Sequence, residues 1–122
     1  MLRYLFLSAI TLLLLFSCNQ KKSAMMHQTF QDGMVDITVK AERGSALSPF
    51  TTTIFVKAYG QEGESGSFAL YVDDLNEENV AFTWTDDATC VLDFTQRDGV
   101  KKTFTLTAYP GGLSLVQNSQ TH

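Results

Sequence analysis

From Gly33 onward the chain alternates apolar and polar side chains with a period of two, whereas residues 19 to about 30 are polar with no sustained period, and no helical repeat of useful length appears after the first 20 or so residues. Val35, Ile37, Val39 and Ala41 are interleaved with Asp36, Thr38, Lys40 and Glu42. In an extended chain successive side chains point to opposite faces, so each such run is a strand with one buried and one wet face. The pattern recurs in "FTTTIFVKAY", "SFALYV", "VAFTWT", "TCVLDFT", "KKTFTLTAY" and "LSLVQ". The segments between them, "ERGSALSP", "GQEGESG" and "DDLNEEN", are rich in turn formers and read as loops. Short strands joined by turns predict an all-β fold, an antiparallel β-sandwich of about seven strands, with a small β-barrel as the alternative.

Two turns fix register. A two-residue hairpin at Asp86-Asp87 would place Cys90 and Leu92 on the face opposite Phe82 and Trp84, because a slip of one residue inverts every side chain. A three-residue loop, Asp86-Asp87-Ala88, instead pairs Trp84 with Cys90 and Phe82 with Leu92. The same test favours Arg97-Asp98-Gly99 as a three-residue loop with Gly99 in the left-handed conformation, so that Leu92 faces Phe104 and Cys90 faces Leu106.

The beginning of the chain differs. The apolar run from Tyr4 to Phe16 is 13 residues long and follows Arg3. As a helix it would cover roughly 20 Å, short of the roughly 30 Å of a bilayer core. A basic start with a short apolar run reads as a secretory signal. The run ends in Leu15-Phe16-Ser17-Cys18, which resembles the lipobox of bacterial lipoproteins, in the Phe-Ser-Cys form of small Bacteroidota lipoproteins. The resemblance covers only the first 20 or so residues; it implies cleavage between Ser17 and Cys18, a thioether-linked lipid on Cys18 and acylation of the new N-terminus. Several acyl chains give stable anchoring where one does not. By the same resemblance, Asn19 in place of an Asp favours the outer membrane, and Lys21-Lys22 in place of acidic residues favours its periplasmic leaflet. The expected organisation is a signal peptide over 1–17, a flexible tether over 18–31, one β domain over 32–118 and a tail over 119–122.

From Cys18 onward the chain carries 13 acidic residues against eight basic ones, a net charge of −5. That balance is wrong for nucleic acid, whose phosphates need basic patches, and for anionic lipid surfaces. With Cys18 lipidated, Cys90 has no partner for an intrachain disulfide.

Chemistry-bearing residues are sparse. The only histidines are His27 and His122, so no Ser/His/Asp or Cys/His arrangement can be assembled. Met25-Met26-His27 has the soft donors that suit Cu(I), but no second cluster completes a site, and it reads as tether. Cys90 sits mid-strand among apolar residues and reads as core. Asp73-Asp74, Glu77-Glu78 and Asp86-Asp87 are candidate calcium or acid/base pairs but lack calcium-loop spacing and read as solvated turns. No enzyme activity, cofactor or metal is expected. The outward parity of Phe55, Tyr59, Tyr71 and Tyr109 makes them the candidate binding surface, since exposed aromatics stack on sugar rings or dock partners. The expected function is a membrane-anchored protein-interaction module of the envelope. The alternatives are a small-ligand or glycan binder, or an inhibitor of an envelope hydrolase presenting a loop such as "GQEGESG".

Overall fold

The computed structural model describes residues 21–118. Over that range the chain forms nine strands and no helix: β1 (Lys22–Phe30), β2 (Val35–Arg43), β3 (Phe50–Ala58), β4 (Gln61–Glu64), β5 (Phe68–Leu70), β6 (Val80–Trp84), β7 (Thr89–Thr95), β8 (Lys101–Tyr109) and β9 (Gly112–Gln117). They make two antiparallel sheets. One has the order β1-β2-β3-β4, with β5 also on β3, and the other has the order β6-β7-β8-β9. The sheets do not close into a barrel. They pack as a β-sandwich around one core of alternate residues from both, including Val35, Ile37, Val39, Ile54, Leu92 and Leu106.

Both predicted registers hold. Trp84 pairs with Cys90 and Phe82 with Leu92 across β6–β7, and Cys90 pairs with Leu106 and Leu92 with Phe104 across β7–β8. Gly99 has φ +85°, the left-handed value its loop requires. In the β6–β7 loop, Asp86 Oδ1 accepts hydrogen bonds from the backbone N–H groups of Ala88 and Thr89, each at 2.8 Å.

Two segments differ from expectation. Residues 22–30, within the predicted tether over 18–31, are strand β1, paired with β2 over its whole length from Lys22↔Arg43 to Phe30↔Val35. Ala24, Met26 and Phe30 are half-buried against the core. "GQEGESG", expected as a loop, contributes β4, which folds back on β3 through the two-residue turn Tyr59-Gly60. Its residues are all polar or glycine, so backbone pairing rather than apolar burial makes it a strand. Beyond β4 the ladder is interrupted, and Ser65 fills the gap: its Oγ accepts from Ile54 N and its own N–H donates to Ile54 O, both at 2.9 Å. β4 and β5 thus form one broken edge.

Aromatic side chains tie the two sheets together. Phe68 from β5 meets Phe94 and Phe104 at centroid distances of 5.5 and 4.7 Å. On the opposite flank Phe30 of β1 meets Trp84 of β6 edge-on at 4.8 Å. Offset and edge-on pairs of this kind stabilise beyond their buried area.

The sandwich has two unlike ends. The β1–β2, β3–β4, β6–β7 and β8–β9 turns all lie at one, here called the turn end. The chain enters at the other, where Lys21 leads into β1. Nine residues of β1 separate the two, roughly 27 Å at strand rise.

Candidate functional site

The four turns of the turn end surround a cleft of about 530 Å³. From the first sheet come Phe30, Gln31 and Tyr59. From the second come Trp84 with the Asp86-Asp87-Ala88 loop, and Ala108, Tyr109 and Pro110 at the β8–β9 turn. The cleft is therefore the seam between the two sheets, where each strand stops and hands its last side chain to a turn. Its size falls in the range typical of small-molecule sites.

Backbone geometry at this seam is unusual. Gln31 and Tyr59 both have positive φ, +55° and +49°. That region is uncommon for residues with long or bulky side chains and costs of order 1 kcal/mol each. The two residues hold one another there. The Tyr59 hydroxyl donates to Gln31 Oε1, and Gln31 Nε2 donates to the carbonyl of Asp87 in the opposite sheet. One glutamine thus fixes a tyrosine wall of the cleft and links the turns of the two sheets across the seam. Strained backbone held by surrounding bonds is a feature that clusters at binding sites.

Tyr109 is fixed by a different device. It is 52% exposed, and its ring lies over Gly112. A Cβ at position 112 would sit 2.5 Å from Tyr109 Cε2 and 2.6 Å from its hydroxyl oxygen, so the ring occupies space that only glycine leaves free. Tyr109 closes the β8–β9 side of the cleft.

The electrostatics of the cleft are one-signed. Asp86 and Asp87 line it and, among the described residues, no Lys or Arg does. The N–H of Ala88 bonded to Asp86 holds that carboxyl below its ordinary range. The Asp87 carboxylate makes no hydrogen bond or ion pair to another described residue, although its main-chain carbonyl accepts from Gln31. Trp84 Nε1 is buried without an acceptor among the described residues, a donor left unsatisfied.

The candidate surface of four aromatics divides. Tyr59 and Tyr109 converge on the cleft. Tyr59 does not project outward as strand parity suggests. Its positive φ ends the alternation, and the ring packs half-buried against the core. Phe55 lies alone on the outer face of the first sheet, under the ammonium of Lys40 at 5.3 Å. Tyr71 follows β5 at the entry end, where its N–H donates to Gln96 Oε1. Sequence reasoning missed Phe30 and Gln31, which it assigned to the tether; it placed Trp84 on the inner face, where the side chain does pack half-buried against the core, but did not foresee that it also lines the cleft. Of the acidic pairs, Asp86-Asp87 reaches the cleft, while Asp73 and Asp74 pair with Arg97 and Lys22 at 3.3 and 3.6 Å. Among the described residues no group of three or more His, Cys, Asp or Glu is placed to hold a metal ion. No helix of the described residues is long and apolar enough to cross a membrane. Ser17 and Cys18, the expected cleavage and lipidation residues, lie outside the described residues.

No family model, no curated protein and no solved structure matches the chain.

Proposed function

We propose that the protein is a non-catalytic bacterial lipoprotein, anchored through Cys18, that holds a small ligand or glycan in the turn-end cleft. The observation that carries this reading is the cleft itself, a seam between two sheets walled by Phe30, Tyr59, Trp84 and Tyr109. Aromatic faces bind the apolar faces of rings, and the few polar groups around them set orientation. With β1 a strand, only Asn19 and Gln20 stand between Cys18 and Lys21, a span of about 10 Å at most. An anchor on Cys18 would hold the entry end at the membrane and aim the cleft away from it, toward the glycan and protein layers of the envelope.

Trp84 is the chain's only tryptophan, so its emission reports on the cleft alone. Titration with sugars should shift that emission in the wild type and leave it unchanged in Tyr109→Ala. No response to any sugar argues against the ligand reading. Mass spectrometry of the processed chain should find acyl groups on residue 18, and an unmodified thiol there overturns the anchor.

One observation favours a second reading, a protein partner. Among the described residues β1 pairs only with β2, leaving a nine-residue edge open to strand addition, with Met25 65% exposed beside it. Crosslinking in intact envelopes, wild type beside Cys18→Ala, should capture such a partner only from the anchored form.

A further inference from the structure

The geometry points to a cationic ligand in the turn-end cleft: a sugar or sugar-sized hydroxylated ring bearing an ammonium group, such as an amino sugar. This rests on the reading of the cleft as a ligand site and adds the charge class of what fills it.

Three observations carry it. The walls are the aromatic residues Phe30, Tyr59, Trp84 and Tyr109, whose ring faces carry negative quadrupole and attract cations. Among the described residues the rim holds two carboxylates and no basic residue. The two carboxylates are not equivalent. Asp86 is committed to its own turn through the Ala88 and Thr89 N–H groups, whereas the Asp87 carboxylate has no partner among the described residues while its backbone is pinned by Gln31. A negative group held in place by its backbone, with its charge unused, at the mouth of an aromatic cleft is arranged to accept from an ammonium. An acidic sugar would meet repulsion from both carboxylates with no lining cation to offset it, so the same arrangement selects against it.

The test uses three sugars that share a ring and differ in charge: glucosamine, N-acetylglucosamine and glucuronate. Each is titrated at mildly acidic pH into the chain from residue 18 carrying Cys18→Ala, with Trp84 emission as the readout. Glucosamine should bind on the order of tenfold more tightly than N-acetylglucosamine, and glucuronate should be the weakest. Asp87→Asn should weaken glucosamine far more than N-acetylglucosamine, so that the preference between them is lost, and added salt should weaken glucosamine more than the other two. If N-acetylglucosamine binds as well as glucosamine, the cationic assignment is overturned and the sugar reading survives. If none of the three perturbs Trp84, both fall. Should Asp87→Asn lose binding to every sugar with its fold intact, Asp87 is a general hydrogen-bonding group and the charge argument is wrong.

Discussion

The ring of Tyr109 rests on the α-carbon of Gly112, in space that a Cβ would need. The two residues are paired neighbours of the β8–β9 turn, since Tyr109 is register partner to Gly112. Gly112→Ala therefore pushes the ring off its seat without touching the core. The substitution should change stability by less than about 1 kcal/mol, because it is a surface change in a strand end. It should weaken ligand binding roughly three- to tenfold, the contribution of one aromatic contact. Urea denaturation and a Trp84 titration on the same variant check both halves. A large loss of stability with unchanged binding would show that the seat serves the fold and not the cleft.

Gln31 joins three elements through one side-chain amide, accepting from Tyr59 and donating to Asp87 across the seam. Gln31→Ala removes both bonds, and Tyr59→Phe removes one. At about 0.5–1.5 kcal/mol per bond, Gln31→Ala should cost about 1–3 kcal/mol and Tyr59→Phe about half of that. The shift in urea midpoint measures each. Equal losses would mean that the link to Asp87 contributes nothing and that the sheets are not joined at this point.

How far the sequence could be read follows from these residues. The β6–β7–β8 meander was legible because Phe82, Trp84, Cys90, Leu92, Phe104 and Leu106 contrast sharply with the threonines between them, and only odd loops keep them on one side. β1 carries the same period with poor contrast: Met25 faces water, while Gln28 faces in beside Met26. β4 has no apolar residue at all, and what makes it a strand is the tight turn at Tyr59-Gly60, whose positive φ at a tyrosine no pattern announces. The cleft was the least legible part. It is assembled from four turns far apart in sequence, and two of its walls, Phe30 and Gln31, fall in the stretch whose weak alternation looked like a tether.

Cys90 lies between the sheets with no exposed surface, and burial pushes its thiol up from 9.0 to about 11. The native state therefore holds the thiol proton more tightly than the unfolded chain does. The stability this contributes is complete below about pH 9 and is lost as pH rises from there toward 11, because the unfolded thiol ionises first. A chain carrying Cys18→Ala should react with a thiol reagent at neutral pH only as fast as it opens, and completely in denaturant. Cys90→Ala should flatten the fall in stability between pH 9 and 11. Rapid labelling of the native protein would place Cys90 outside the core.

Because β1 is part of the sandwich, the domain takes in residues 22–30 and does not begin at residue 32. A chain starting at Lys21 should melt within a few degrees of the one starting at residue 18. A chain starting at Gln31 loses the half-buried Ala24, Met26 and Phe30, the Phe30–Trp84 contact and one wall of the cleft. From the apolar area alone this should cost about 3–5 kcal/mol, a large share of the stability of a domain this size. It also uncovers the edge of β2, so the shortened chain should be unfolded or self-associated. Thermal melts and sedimentation of the two truncations decide the matter. A monomeric Gln31 form with an unchanged melting temperature would return residues 22–30 to the role of a tether, and with them would go the short reach that aims the cleft away from the membrane.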